Sequence, residues 1–229
     1  LILAIDTATR VGSVALVARD QVVVSRYFDI GLQHTQRLFV EVEEICRAAG
    51  VEVAALEAVA VTMGPGSFTG LRIGLAAAKG LCMVNNKKLV GVSTLAVLAA
   101  RIPYAIMPVC ALLDARKQQV YAGLYDTSQG LPVLSAKPVA IEPATLLEEH
   151  AGKDILYTGD GVEAYAELID AAQGAHRAPL HCARPHASAL GVLAWKKLER
   201  GEVVDLKTAE PEYLRAPDAK VSTKSLLPD

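Results

Sequence analysis

The sequence predicts a duplicated α/β fold, and three observations carry that reading. An apolar strand at residues 1–5 ends in Asp6, and the apolar run at 106–113 ends in Asp114 in the same way. Each is followed by two more strand patterns joined by short polar turns, then by helices alternating with short strands. That is the order of an antiparallel meander extended by parallel strands through crossover helices. Hydrophobic residues make up 52% of the chain and aromatics only 5%, so Ala, Val and Leu fill strands of the kind covered on both faces. Residues 1–102 are then one lobe and 103–201 a second. Residues 202–229 are a tail without a sustained period, packing on the body at Tyr213 and Leu214 and fraying beyond Val221.

Taken in order, the turn from Ala8 to Gly12 leads into a strand at 13–18, and Arg19-Asp20-Gln21 connects it to another at 22–28. Residues 35–49 set Leu38, Phe39, Val42, Ile45, Cys46 and Ala49 at helical spacing, with Glu41, Glu43, Glu44 and Arg47 opposite and Gly50 as the left-handed stop. AVAVTM at 58–63 has no polar alternation and reads as a buried parallel strand. Gly64, Pro65 and Gly66 then force a turn, and Ser67 or Thr69 caps a helix running to residue 83. Its Gly70, Gly74 and Ala78 share one face. Interior glycine costs a helix about 1 kcal/mol relative to alanine, and close approach of another backbone is the usual compensation. A strand at 88–92 and a helix capped by Ser93-Thr94 complete the first half.

The second half continues with strands at 118–125 and 131–141, a helix opened by Glu142-Pro143, and a strand at 155–158. Gly161 leads a helix to about residue 172, and a last helix spans 187–200, with Leu190, Leu193, Ala194 and Leu198 on one face, before Gly201 stops it.

Charge and composition exclude several functions. The formal charge is 23 − 25 = −2, with no dense basic run beyond Lys87/Lys88 and Lys196/Lys197, a poor footprint for autonomous nucleic-acid binding. No apolar run reaches the roughly 20 residues of a membrane span, and the N-terminal strand pattern lacks a signal peptide's basic flank, so a soluble, cytoplasmic protein is expected. Cys46, Cys82, Cys110 and Cys182 form no C-x-x-C pair and are expected to be reduced and buried. No histidine pair has the i, i+3 or i+4 spacing of a helical metal site, and His181 and His186 read as solvated loop residues.

The chain carries the frame of a nucleotide-handling fold without its chemical groups. Asp6 and Thr7, ending the first strand, suit either a magnesium or phosphate-bound water, or hydrogen bonds to the turn backbone. Gly66 and Ser67 open a helix whose unpaired amides could meet an anion, yet no Gly-Lys-Ser/Thr closes the turn. Gly159 and Gly161 flank Asp160 in a strand-to-helix turn that could lie under a nucleotide base. Nothing marks a catalytic nucleophile, base or metal ligand set.

LILAIDTATRVGSVAL, HTQRL, AVTMGPGSFTGLRIGLAAAKGL, VGVSTLAVLA, LLDARKQQVYAGLY, the GDG turn and PEYLR together resemble the TsaB (YeaZ) family nearly end to end. The resemblance implies a ribonuclease-H-like duplicated fold akin to the actin, Hsp70 and sugar-kinase ATPases. It implies a non-catalytic paralogue of TsaD, needed with TsaD and TsaE to form N6-threonylcarbamoyladenosine beside the tRNA anticodon. Contact with tRNA is then made through the complex, no cofactor is firmly held, and ATP or ADP sits weakly at a complex interface. TsaD binds its metal through a His-x-x-x-His pair, whereas here His34 is followed by Leu38. The family pairs through its two early helices, which makes Leu38, Val42, Leu71, Gly74, Leu75 and Ala78 the expected contact with TsaD, or with a second copy in isolation. Gly74→Leu is expected to block pairing without unfolding the chain. The competing reading is an autonomous ATP-binding enzyme, or a homodimeric regulatory protein.

Overall fold

The computed structural model describes residues 1–29 and 34–215. The first half contains β1 (Ile2–Asp6), β2 (Val11–Val17), β3 (Val22–Asp29), α1 (His34–Ala49), β4 (Ala58–Gly64), α2 (Phe68–Asn85), β5 (Lys88–Ser93) and α3 (Thr94–Ala99). The second contains β6 (Val109–Arg116), β7 (Gln119–Asp126), β8 (Val133–Leu134), β9 (Val139–Ile141), α4 (Pro143–Glu149) and β10 (Ile155–Thr158). After these come α5 (Asp160–Ala164), α6 (Ala166–Ala171), β11 (Ala175–Arg177) and α7 (Ala187–Glu199).

The duplication is explicit in the pairing. β1 runs antiparallel to β2 and parallel to β4, which is parallel to β5; β6 runs antiparallel to β7 and parallel to β10, which is parallel to β11. The sheets have the orders β3-β2-β1-β4-β5 and β11-β10-β6-β7-β8, with β9 also on β7. The third strand of the second half, expected at 131–141, is two short pieces, β8 and β9; Pro138 lies between them and has no amide to give a ladder. The helix expected to about residue 172 is broken at Tyr165, whose φ of −126° is not helical. β11 has only three residues, too few for a period to appear in the sequence.

Alternation along the strands sorts the first sheet into two faces. Leu3, Ile5, Val14, Leu16, Val59 and Val61 pack with Leu38, Val42 and Ile45 of α1 and Leu75 and Ala78 of α2. Ile2, Ala4, Ala15, Val17, Ala58 and Ala60 face the other way and pack with Leu190, Leu193 and Ala194 of α7. Small strand residues let α7 sit close: a Cβ on Gly191 would lie 2.4 Å from Val17 Cγ2. The indole of Trp195 donates to the Val17 carbonyl at 2.8 Å. The lobe drawn at 103–201 thus gives its last helix to the other sheet. α3 joins the halves, since Leu95, Leu98 and Ala99 pack with Val109, Ala111, Leu113 and Tyr125 of the second sheet.

The tail returns to the first lobe. Val204 bridges Leu89, Ala209 is buried in the core beneath α1 and α2, and the Glu212 amide donates to the Met63 carbonyl at 2.7 Å. Tyr213 and Leu214 do pack on the body, Tyr213 against Phe68 and Leu214 against the α3 cluster. The fraying expected beyond Val221 lies outside the described residues.

Candidate functional site

The glycines of the Gly-Pro-Gly turn and of α2 are explained by what lies against them. A Cβ would fall 2.5 Å from the Ala8 carbonyl oxygen at Gly66, 2.0 Å from the Thr7 carbonyl oxygen at Gly70, and 2.2 Å from Thr7 Oγ1 at Gly74. The close partner is the turn leaving β1. Gly64, with φ of 126°, meets the Glu212 carbonyl oxygen of the tail at 2.3 Å in the same sense. Thr7 Oγ1 donates to the Gly70 carbonyl at 2.7 Å, fastening the turn to the helix.

The same contacts occupy amides that could have met an anion. The Ser67 amide donates to the Ala8 carbonyl at 2.7 Å, and the Gly70 amide to Ser67 Oγ at 3.2 Å, an N-cap within the helix. Gly159 and Gly161 are likewise pressed on the chain itself: a Cβ on Gly159 would lie 1.9 Å from the Leu112 carbonyl oxygen, and one on Gly161 would lie 3.0 Å from Leu112 Cβ. Both turns therefore seat an adjacent strand.

Asp6 is fully buried on the α7 side of the first sheet, in register with Ser13. Its Oδ1 accepts from Thr62 Oγ1 at 2.9 Å and from the Ala8 amide at 3.2 Å, while Oδ2 is buried without a partner. Desolvation outweighs those two hydrogen bonds and pushes its pKa up to about 6. Ser13 Oγ accepts from the Ala187 amide at the start of α7. His186 caps that helix, 8% exposed, with Nδ1 accepting from the Ser188 amide and its ring edge-on to Tyr27. Burial and the nearby Arg101 charge bring its pKa down to about 4, so His186 is a neutral structural cap and the expectation of a solvated loop histidine is corrected.

Between the lobes lies a cleft of about 330 Å³, walled by Ala8 to Arg10 and Gly66 to Phe68 on one side and Leu113 to Arg116 on the other. Deep in it the Asp114 amide donates to Asp160 Oδ1 at 3.0 Å, and burial raises the Asp160 pKa. The two carboxylates share the cleft with Arg10, Arg116, Arg215 and Tyr121. Among the described residues no cluster of three or more His, Cys, Asp or Glu is placed to hold a metal. His34 opens the backbone of α1, and Leu38 one turn on is fully buried.

The expected pairing residues need correction. Leu38, Val42, Leu71, Gly74, Leu75 and Ala78 are all buried within the chain, because α1 and α2 use those faces to cover their own sheet. Gly74→Leu would strike Thr7 and disturb the fold itself. The outward faces carry Phe39 and Val40 on α1 and Met83 and Val84 on α2, the last 85% exposed. A Cβ on Gly80 meets nothing within 4 Å, so this glycine faces open space. Sequence periodicity marked the helices as amphipathic but could not say which apolar side chains lay at the edge of the stripe. All four cysteines are free and buried, as expected, and burial raises Cys82 to about 11 and Cys110 to about 12.

Two lobes of this topology define the duplicated ribonuclease-H-like fold of the actin, Hsp70 and sugar-kinase ATPases. Component A of (R)-2-hydroxyglutaryl-CoA dehydratase from Acidaminococcus fermentans has the same fold at a TM-score of 0.52 and 12% identity, covering 86% of this chain and 98% of that one. The model of the family TsaD, tRNA N6-adenosine threonylcarbamoyltransferase, matches residues 30–223. The tRNA threonylcarbamoyladenosine biosynthesis protein TsaB of Escherichia coli is 32% identical over 220 residues, 93% of this chain and 94% of that protein. YeaZ from Pseudomonas aeruginosa superposes with a TM-score of 0.80 at 33% identity, covering 93% of this chain and 99% of its own. The chain belongs to the TsaB (YeaZ) family.

Proposed function

We propose that this chain is a non-catalytic accessory subunit in the formation of N6-threonylcarbamoyladenosine on tRNA, working in the cytoplasm with TsaD and TsaE. The carrying observation is the use made of the Gly-Pro-Gly turn and α2: Gly66, Gly70 and Gly74 lie against Thr7 and Ala8, the Ser67 amide donates to the Ala8 carbonyl, and the Gly70 amide donates to Ser67 Oγ. The fold's cleft is kept while the groups for chemistry in it are not. Relatives named for this biosynthesis match almost the whole chain, which supports the same pathway here. Most of the affinity for tRNA comes from the assembly, and ATP or ADP is held weakly at its interface.

The partner-facing surface in this reading is the outward side of α1 and α2, where Phe39, Val40, Met83 and Val84 are exposed. A second copy takes the same surface when the partner is absent. Among the described residues no helix is long and apolar enough to cross a membrane, in keeping with a water-facing assembly.

The test is reconstitution with TsaD, TsaE and a threonylcarbamoyl-adenylate-forming enzyme of the same organism. Nucleoside mass spectrometry of the tRNA should give modified adenosine only when this chain is present, and the chain alone should not turn over Mg-ATP. Full modification in its absence, or ATP turnover by the isolated chain, would reject the proposal.

A further inference from the structure

A second opening lies where the two halves meet and shares no wall residue with the interlobe cleft. It is a groove of about 370 Å³, formed by Val22 of β3, Ala189 and Val192 of α7, Arg101 and Pro103 beyond α3, and Leu131 in the turn from β7 to β8. Val22, Leu131 and Val192 stay exposed on it, and no acidic residue lines it. The wall at Leu131 is held in place from behind. The Tyr104 amide donates to the Thr127 carbonyl at 2.8 Å, and a Cβ on Gly130 would lie 3.0 Å from Tyr104 Cζ. A mostly apolar concavity of this size, with a polar group placed in it, has the form of a small-molecule site.

That polar group is Arg101, and its bonding is incomplete. Nη2 donates to the His181 carbonyl at 2.5 Å, whereas Nε is buried without an acceptor. Among the described residues nothing hydrogen-bonds Nη1, and no carboxylate pairs with the guanidinium. Arg26, Arg177 and Arg184, by contrast, each meet an Asp or Glu. A guanidinium partly withdrawn from water with its charge unmatched carries a desolvation cost that an anion would offset. The charge lies toward the groove's Ser188. Beside burial, it brings down the pKa of His186, whose Nδ1 shares a hydrogen bond with Ser188 Oγ. Ser188 and Ala189 also open α7, so the positive end of that helix adds to the potential there.

We propose that this groove binds a small aliphatic monocarboxylate, with the carboxylate on Arg101 and the hydrocarbon chain along Val22, Leu131 and Val192. A carboxylate matches the guanidinium in geometry and neutralises its one charge. A phosphate ester or a dicarboxylate would leave a second charge against apolar walls with nothing to pair it. A neutral hydrocarbon would leave Arg101 as it is.

The test is isothermal titration calorimetry of the full chain with octanoate, butyrate, octanol and octylammonium. One octanoate per chain should bind, with Kd on the order of 100 µM. Butyrate, four methylenes shorter, should bind more than about a hundredfold more weakly, at about fourfold for each methylene buried. Octanol should bind about tenfold more weakly than octanoate, as expected for the loss of hydrogen bonds between charged groups, and octylammonium should not bind. Arg101→Gln should lose about tenfold in octanoate affinity and keep that for octanol, a split that a general loss of folding would not give. Val192→Trp, at an exposed helix position, should fill the groove and abolish binding of both with Arg101 intact. Should Arg101→Gln not fold, Val192→Trp and the comparison of octanoate with octanol decide the matter. No saturable binding of octanoate, equal binding of octanol or of butyrate, tighter binding of octylammonium, or full octanoate affinity in either folded variant would each overturn the assignment.

Discussion

Asp6 is where a single residue has most to say. Its folded pKa of about 6 lies above the 3.8 of a free carboxyl, so the folded state holds this proton more tightly than the unfolded one. Stability contributed by the neutral form is therefore greatest below about pH 4, falls as pH rises through 6, and is constant above. A displacement of about two units corresponds to about 3 kcal/mol. Asp6→Asn keeps an acceptor for Thr62 and removes the titration. The stability of the variant relative to the parent should thus rise by about 3 kcal/mol between pH 4 and pH 8, measured by denaturant unfolding. Parallel curves would show that Asp6 does not titrate in the fold. The sequence placed Asp6 at the end of the first strand, but it could not show whether the side chain met the cleft or the interior. That depended on register with Ser13 and on α7, which lies some 180 residues further along.

At the scale of an element, α2 separates two kinds of glycine that look alike in sequence. Gly74 has no room for a methyl group beside Thr7, whereas Gly80 has open space. Gly74→Ala should destabilise by about 1–3 kcal/mol through overpacking, and Gly80→Ala should stabilise by up to about 1 kcal/mol through helix propensity. Thermal melts of the two variants should move in opposite directions. Gly80→Leu, folded but bulky on the outward face, should weaken pairing with TsaD in co-purification, the role wrongly expected of Gly74. The small-residue face was legible, and so was its need for a close neighbour. The neighbour itself was not, because Thr7 and Ala8 are about 60 residues upstream and the same pattern would suit a helix of another chain.

For the whole molecule, the duplicated order of strands was readable because each half begins with an apolar run leading to an aspartate, although β6 starts only at Val109 and continues past Asp114 to Arg116. β11 escaped, since three residues are too few for alternation to register, and β8 and β9 were read as one continuous strand. The tail unites both lobes with the Gly-Pro-Gly turn. Ending the chain after Gly201 removes the Val204–Leu89 bridge, the Glu212–Met63 hydrogen bond and the Tyr213–Phe68 contact. At about 1 kcal/mol per hydrogen bond, with apolar contacts added, the melting temperature should fall by at least about 5 °C. Hydrogen exchange at residues 63–70 should quicken in the same variant. Unchanged melting and exchange would mean that the tail lies on the body without bracing it.

The placement of α7 also sets a timetable. The side of the first sheet formed by Ile2, Ala4, Ala15 and Val17 is covered by a helix that is not synthesised until residues 187–199 emerge. At about 5–20 residues per second, a ribosome takes on the order of ten seconds or more to deliver that cover. For that interval the nascent first lobe presents a bare apolar sheet, and the chain's exposure to aggregation is fixed by the last helix it makes.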